Sequence, residues 1–330
     1  MLKPRIIKLT CLILLISLGV VFCWYAQSRI FAPYRSVRMV EVMDQAKRPE
    51  SNVSALKVAA YNIAHGRGGK LGASNWTGAS KTEMMVHLEA IANQVKAANV
   101  DILVLNEVDF DSSWSRRINQ AKVIAAQAGF PYYVEQRNMD ISLPFRRYCF
   151  GNAILSRHPI EDAQMIRFPA LSKKEAIFAG NHDGLLAKIE TPIGNIDILA
   201  CHLEYRSEDI RCQTARVILN LVSESDTPFI AIGDFNSTPG FAKGHSRSGL
   251  DENAMDILLD SGLFSVGKPS SEWDAYLTFP SEAPARAIDW ILTSPDLKQE
   301  ALFVDPSTLS DHLMISSEVS LAEEGTLGIH

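Results

Sequence analysis

Eight apolar runs, each of the length of a β-strand, recur between residues 56 and 321. They cover residues 56–63, 101–108, 150–157, 185–190, 195–204, 228–236, 287–293 and 312–321. Near-continuous apolar runs of this kind are typical of strands that are buried on both faces of a sheet. No stretch rich in Pro, Gly or Ser divides them, so we expect one domain over residues 55–321.

Helical patterns lie between these predicted strands. Apolar residues recur at spacings of three and four within residues 81–98, which places them on one face of a helix. These residues are Met84, Leu88, Ile91 and Val95. Further helices are predicted over residues 115–128 and 208–223. Buried strands that alternate with amphipathic helices predict an α/β sandwich, in which layers of helices cover the sheets.

An uncharged run of 18 residues, 9–26, follows Lys3, Arg5 and Lys8. At about 1.5 Å per residue, such a helix can just cross a hydrocarbon core of about 30 Å. The basic residues predict that residues 1–8 are cytoplasmic, that 9–26 form a signal-anchor and that the body lies outside the cytoplasm. A cleaved signal peptide is the alternative, although the run ends in bulky residues rather than a small-residue cleavage site. We expect a stalk over residues 27–54 and a loose tail over 322–330.

Charge is distributed unevenly along the chain. It holds 32 basic and 38 acidic residues, but six of the bases and none of the acids lie in the first 40 positions. The remaining residues therefore have a net charge of −12. An acidic body repels polyanions at long range, which disfavours tight nonspecific binding of duplex DNA without excluding a local basic site. A hydrophobic content of 47% excludes a disordered chain.

Several common kinds of site are absent from the sequence. Cys149, Cys201 and Cys212 lack the paired spacing of a structural zinc site, so we expect buried thiols, with one disulfide among them as the alternative. Residues 244–249 do not fit the G-x-S-x-G nucleophile elbow, and residues 66–70 are too short for a phosphate-binding P-loop.

Polar side chains stand at or near the ends of the predicted strands. They are Asn62, Glu107, Asn152, His202, Asp234, Asn236, Asp289, Asp311 and His312. Any one of them is most simply a solvated turn residue, but strand ends that share one edge can converge on one site. Carboxylate and amide oxygens suit a hard divalent cation such as Mg²⁺ or Mn²⁺, and histidines can donate to developing negative charge. The residues therefore favour metal-assisted hydrolysis of a phosphate ester.

The same residues lie in short motifs with a fixed order. These are YNI (61–63), LNEV (105–108), GNAILSR (151–157), HLE (202–204), GDFN (233–236), TFPS (278–281), IDW (288–290) and SDH (310–312). Together they resemble the endonuclease/exonuclease/phosphatase superfamily over residues 56–321. The resemblance implies a DNase I-like, four-layered α/β sandwich, in which helices flank two central mixed β-sheets and the site lies at one end.

The resemblance also implies which residues bind the metal ion. Glu107 would be the principal Mg²⁺ (or Mn²⁺) ligand, supported by Asn62 and Asp311. Asn152 would contact the scissile phosphate.

For the catalytic residues, the resemblance implies roles on both sides of the reacting phosphate. Asp234 would position or deprotonate the attacking water, and Asn236 would fix the water or the phosphate. His202 and His312 would donate hydrogen bonds to phosphoryl oxygens. Asp289 would orient His312 through its ring N–H.

Substrate contacts are less clearly indicated. Arg137, Arg146, Arg147 and Arg157 cluster around a predicted loop over residues 135–150. We take Arg146, Arg147 and Arg157 as candidates for phosphate recognition, with a solvated charged loop as an equal alternative.

Two positions depart from the family pattern. His65, in the AHGRG segment after the first motif, is expected to be solvated, with a role as an additional phosphate donor as the alternative. Trp290 stands where many relatives have His or Tyr, which we expect to change packing rather than catalysis.

Three functions remain open from the sequence. We favour a Mg²⁺-dependent phosphodiesterase or phosphatase that acts on a lipid head group or a small phosphoester outside the cytoplasm, held at the membrane by its N-terminal helix. An extracytoplasmic nuclease with the same residues is the second. A catalytically inactive binding module is the third, and the complete set of motif residues disfavours it. No protein partner can be inferred.

Overall fold

The fold is described from a computed structural model over residues 4–26, 37–41, 53–68, 79–143, 145–172, 182–242, 249, 251–269, 272–273 and 276–322. Most of the predicted stalk, nearly all of the predicted tail, and parts of segments 66–70 and 244–249 lie outside the described residues. The helices within them are α1 (Pro4–Tyr25), α2 (Lys81–Ala98), α3 (Gln120–Ala128), α4 (Glu208–Ser223) and α5 (Ala254–Asp260).

The strands of the described residues form two sheets. In chain order they are β1 (Val37–Glu41), β2 (Ala55–Asn62), β3 (Ile102–Asp109), β4 (Tyr132–Leu143), β5 (Arg146–Ser156), β6 (Ile160–Ile166), β7 (Gly184–Thr191), β8 (Gly194–His202), β9 (Phe229–Asp234), β10 (Ser265–Val266), β11 (Asp289–Thr293), β12 (Leu297–Gln299), β13 (Phe303–Val304) and β14 (Ile315–Leu321). The first sheet has the order β1-β4-β5-β3-β2-β14-β12, with β13 also paired to β14. The second has the order β10-β11-β9-β8-β7-β6. Each sheet is mixed, because β2 and β3 run parallel in the first and β8 and β9 in the second.

The two sheets pack face to face between layers of helices. Alternate residues of β3 show this arrangement. Leu103 and Leu105 belong to the core shared with α2 and α3, whereas Ile102 and Val104 belong to the core that lies against the second sheet. Helices α4 and α5 add residues such as Ile218 to that second core. The predicted α/β sandwich of two central mixed sheets flanked by helices is therefore confirmed.

Local signals explain where the helices begin and end. Ser80 and Glu83 form a capping box at the start of α2, and Asn99 ends that helix in a left-handed conformation. Helices α2 and α4 have the predicted bounds, but α3 begins at Gln120 rather than at residue 115. The reason is that Asn119 caps α3 by accepting a hydrogen bond from the Lys122 N–H.

The N-terminal helix α1 has 22 residues and a mean hydropathy of 2.6 over its most apolar window. It is long and apolar enough to span a membrane or to serve as a signal sequence, so the signal-anchor and its orientation stay predictions. Within the segment predicted as a stalk, β1 pairs with β4 at the edge of the first sheet. The sheet therefore includes residues before position 55.

Each of the eight predicted strands is present, but β4 was predicted as a loop. Its sequence contains Glu135, Arg137 and Asp140, which interrupt the alternation of apolar and polar residues that indicates a strand. These side chains are buried because they pair with one another: Arg137 lies 3.3 Å from Glu135 and 3.1 Å from Asp140. Buried charges that are paired in this way are tolerated within a sheet. The three domain cysteines are free and buried, as expected.

Gly233, in the GDFN motif, has no space for a side chain. Its φ is +137°, and an added Cβ would lie 2.1 Å from the carbonyl oxygen of Cys201 on the neighbouring strand β8. We expect Gly233→Ala to lower the free energy of unfolding by about 3 kcal/mol, because strands β8 and β9 would have to separate. Urea unfolding of the full chain in detergent measures this, with Gly262→Ala as a control because an added Cβ there meets nothing within 4 Å. Equal losses in both variants would contradict the packing argument.

Candidate active site

The predicted site residues converge because the strands that carry them end at one edge. Parallel strands place their carboxyl ends together, which brings Asn62 of β2 beside β3, and His202 of β8 opposite Asp234 of β9. Antiparallel neighbours begin at the same edge, so Asp289 of β11 also stands opposite Asp234.

A β-bulge directs Glu107 toward this edge. The register of β3 against β5 shifts between Leu105 and Val108, so that Asn106 and Glu107 together oppose one residue of β5. Glu107 has a φ of +52°, which is costly for a residue with a side chain and is found where neighbours enforce it. The result is a carboxylate that lies among the other polar strand ends.

Asp234 is held by hydrogen bonds to both of its carboxylate oxygens. The Asn62 side-chain amide donates to Oδ2 at 3.1 Å, and the Asn236 main-chain N–H donates to Oδ1 at 2.9 Å. Asn236 in turn donates its side-chain amide to the Leu203 carbonyl oxygen at 3.1 Å. Asp234 is therefore fixed in position at the edge of the second sheet.

His312 and Asp289 form a buried pair. The His312 Nδ1 lies 2.9 Å from Asp289 Oδ2, and the Thr278 hydroxyl donates to the same oxygen at 2.6 Å. Although burial lowers the pKa of His312, the neighbouring carboxylates raise it to about 10. These are Asp289, Asp234 and Asp311. The other ring nitrogen, Nε2, lies 3.7 Å from Asp234 Oδ2.

His202 stands between two carboxylates without hydrogen-bonding to either. Its Nε2 lies 3.9 Å from Glu107 Oε1 and 3.8 Å from Asp234 Oδ2. His182 lies in none of the sequence motifs, and its ring meets the His202 ring edge to face, with 5.1 Å between the centroids. Burial and the charge of His202 lower the pKa of His182 to about 3, against the opposing effect of Glu107, so a neutral imidazole borders the site. His182 lies 3.6 Å from Glu204 of the HLE motif.

Glu107 is surrounded by cationic and donor groups. Burial alone would raise its pKa, but the electrostatic effect of four neighbouring side chains lowers it to about 2. These neighbours are His65, His202, His312 and Arg67. Asp311 is tied to the same region because Ser310 donates a hydrogen bond to the Asn62 carbonyl oxygen at 2.7 Å. Burial and the charge of Glu107 raise the pKa of Asp311.

His65 is not solvated, so that expectation is wrong. Its side chain is 9% exposed, with Nδ1 2.9 Å from Asp109 Oδ1 and Nε2 3.3 Å from Glu107 Oε2. Asp109 and Glu107 raise the pKa of His65 against the opposing effect of burial. The AHG segment fits here because Ala64, His65 and Gly66 all have positive φ, a local conformation that sequence analysis did not anticipate.

Asn152 lies within the hydrogen-bond network rather than on the surface of the site. Its side chain is fully buried, and it donates to the Gln136 side chain at 2.9 Å and accepts from Asn106 at 2.9 Å. Asn106, which sequence analysis did not single out, also accepts from the Asp234 N–H at 3.1 Å. Asn106 thereby joins the two sheets beside the site. A direct contact of Asn152 with phosphate stays a prediction.

The arginine candidates do not form one basic patch. The expectation that Arg157 lies with the other two is wrong, because Arg157 follows β5 at the end opposite to Arg146 and Arg147. Its main-chain N–H donates to the Asp101 carbonyl oxygen, just before β3 begins, and its guanidinium lies over the Phe130 ring. Arg147 is bound by Asp140 through two hydrogen bonds of 2.9 and 2.7 Å. Arg146 is exposed near the β4–β5 turn, and the predicted loop 135–150 is mostly this hairpin. Trp290 is fully buried and donates to the Ser237 carbonyl, in agreement with a packing role.

The donor set fits a hard divalent cation. Carboxylates of Glu107, Asp311 and Asp234 and the amide of Asn62 lie at one edge, together with imidazoles. Ligand atoms of Asp234, Asp289 and His312 also lie within 4.8 Å of one another. Oxygen-rich groups of this kind are typical of Mg²⁺ and Mn²⁺ sites. As placed, Asn62 donates to Glu107 Oε1 and Asp234, so it supports these carboxylates through its N–H group.

Two mixed sheets between helices, with carboxylates, amides and histidines at the shared strand edge, define a metal-dependent hydrolase of phosphoester bonds. The chain belongs to the Endonuclease/Exonuclease/phosphatase family, whose sequence model matches residues 59–312. No curated protein sequence gives a significant match.

Solved structures support the fold. An endonuclease/exonuclease/phosphatase from Beutenbergia cavernae is 17% identical, with a TM-score of 0.56 over 82% of this chain and 72% of that chain. The mannosyl-6-phosphatase Bt3783 of Bacteroides thetaiotaomicron is 16% identical, with a TM-score of 0.55 over 81% of this chain and 100% of that chain. Truncated TDP2 of Caenorhabditis elegans is 16% identical, with a TM-score of 0.54 over 81% of this chain and 97% of that chain. At these identities the similarity concerns the fold alone.

Proposed function

We propose that the protein is a Mg²⁺-dependent phosphodiesterase or phosphatase that acts outside the cytoplasm on a lipid head group or a small phosphoester. The observation that carries the proposal is the arrangement around Asp234. Its carboxylate is fixed by Asn62 and Asn236, while His202 and His312 stand 3.8 and 3.7 Å from its Oδ2 atom. An acceptor for a proton thus lies beside two donors for phosphoryl oxygens.

Each residue has a distinct role in this proposal. Asp234 Oδ2 accepts the proton of the attacking water. His312, protonated because its pKa is about 10, donates from Nε2 to the phosphoryl group while Asp289 holds Nδ1. His202 donates from the other side. Glu107 and Asp311 would hold the cation, which supplies a Lewis acid for the phosphoryl oxygens when bound.

Charge, the surroundings of the arginines and the N-terminal helix support a small or lipid-borne ester over a nucleic acid. The domain is acidic, Arg147 is bound by Asp140, and Arg157 lies at the far end of β5. The apolar helix α1 would place the domain at a membrane surface, and the basic residues before it favour export of the domain. A relative of the same fold is named as a phosphatase of a phosphorylated sugar, which is compatible with a small ester.

The metal requirement gives a direct test. Purified full chain in detergent should hydrolyse bis-p-nitrophenyl phosphate or p-nitrophenyl phosphate with Mg²⁺, and the rate should fall to background in EDTA and return with added Mg²⁺. Sphingomyelin, phosphoinositide vesicles and plasmid DNA would then be compared between 25 and 300 mM salt. Small-ester hydrolysis should vary little, whereas cleavage of a polyanion should weaken steeply as salt rises.

The same comparison can contradict the proposal. Preferred, strongly salt-dependent cleavage of plasmid DNA would favour the nuclease. Intact substrates with Mg²⁺ and Mn²⁺, in a preparation that unfolds cooperatively on heating, would favour a binding module.

A further inference from the structure

His65 touches the principal metal-ligand candidate but has no part in the roles assigned above. We propose that His65 is a positioning residue: together with Asp109 it holds the Glu107 carboxylate in the orientation that binds the divalent cation. This inference rests on the proposed function, since it assumes that Glu107 is a metal ligand.

A continuous series of contacts runs from Trp114 through Asp109 and His65 to Glu107. The Trp114 indole N–H donates to Asp109 Oδ2 at 2.8 Å, and Asp109 Oδ1 lies 2.9 Å from His65 Nδ1. The opposite ring nitrogen, Nε2, lies 3.3 Å from Glu107 Oε2. His65 thus connects a carboxylate that is completely buried to one whose side chain is 26% exposed at the site. Partners of this kind, behind a metal-binding carboxylate, fix its orientation.

Aromatic neighbours prevent the His65 ring from turning freely. Phe150 meets the His65 ring edge to face with 5.1 Å between centroids, and Trp114 meets it in the same way at 5.7 Å. Asp109 and Phe150 are directly opposite each other on β3 and β5, so the sheet sets the position of both groups. The imidazole is therefore held between aromatic rings as well as between carboxylates.

The backbone that carries His65 is itself held in place. Gln120 donates to the His65 carbonyl oxygen at 2.7 Å and accepts from the Asp109 N–H at 2.9 Å, which joins the loop to β3. Gly66 has a φ of +65°, and a Cβ there would lie 2.9 Å from the same Gln120 side chain. The left-handed φ of His65, +56°, and of Glu107, +52°, are conformations that persist only where the surroundings enforce them. The loop is thus built to present His65 to Glu107.

The test measures binding of Mn²⁺ to the full chain in detergent by titration calorimetry, without any substrate. His65→Ala should weaken Mn²⁺ binding between about 10- and 100-fold, as expected for loss of a group that orients a metal ligand. His65→Gln should stay within about fivefold of the unaltered chain, because its terminal amide nitrogen can reach the Nε2 position beside Glu107. His65→Asn has the same chemistry but reaches only the Nδ1 position beside Asp109, and it should resemble His65→Ala.

Three controls separate the explanations. His87→Gln changes a histidine of α2 outside this chain of contacts and should leave Mn²⁺ binding unchanged. If His65→Ala fails to fold, the comparison of His65→Gln with His65→Asn still tests the proposal. Equal Mn²⁺ affinities in those two variants would overturn it. Unchanged binding in a folded His65→Ala variant would overturn it as well. Glu107→Gln isolates the underlying assumption: if it binds Mn²⁺ normally, Glu107 is not a ligand and the proposed metal site itself is wrong.

Discussion

Asp234→Asn should lower kcat for bis-p-nitrophenyl phosphate about 10³-fold, within the range for loss of a general base. The amide keeps the shape of the carboxylate but cannot take a proton from water. Asn62 and Asn236 both donate to Asp234, so the variant also leaves one of these N–H groups facing another N–H group. Initial rates at saturating Mg²⁺ measure the effect.

Asp162→Asn is the matched control for this prediction. Asp162 is exposed on β6, in the second sheet but away from the strand edge that holds the site. Its substitution should leave kcat unchanged. A fall of less than tenfold in Asp234→Asn would mean that the water loses its proton to another group.

His312→Gln should lower kcat between about 10²- and 10³-fold, the usual effect of losing one donor to a developing negative charge. Asp289→Asn should act differently, because it keeps the imidazole and removes the nearest anion. The pKa of His312 is raised to about 10, so the ring is protonated below that pH and loses its proton above it. A rate that needs the protonated ring should therefore fall above about pH 10.

In Asp289→Asn the same fall should occur at lower pH, since less negative charge stabilises the imidazolium. The pH dependence of kcat/KM reports this pKa in the free enzyme. If kcat/KM falls at the same high pH in the unaltered chain and in Asp289→Asn, His312 does not act as the protonated donor.

The strand ends were predictable because their signal is local. An apolar run followed by a polar residue marks a strand end within a few residues, as at Asn62 and Asp234. The two-sheet architecture was predicted from the resemblance of the ordered motifs to a known superfamily. Helix α2 was equally readable, since its apolar spacing and its Ser80 cap are both contained in the segment.

Other features depend on partners that are distant in sequence. Strand β4 looks like a polar loop until Arg137 is paired with Glu135 and Asp140. The bulge that turns Glu107 into the site arises from the register between β3 and β5, which no single segment specifies. His65, Asn106 and His182 acquire their surroundings only when several segments meet. For Arg157 the prediction failed in the opposite way. It is near Arg147 in sequence, but β5 lies between them and places them at its two ends.

Strand β14 bears on the order in which this protein becomes active. It lies beside β2, with Ile315 opposite Ala60, although about 250 residues separate them in the chain. Contacts of such long range form late and slowly, because a large loop must close first. His312 directly precedes this strand. A nascent chain therefore carries Glu107 and Asp234 well before it carries His312. Under the proposed mechanism, hydrolysis begins only when nearly the whole domain has been synthesised and β14 has paired with β2.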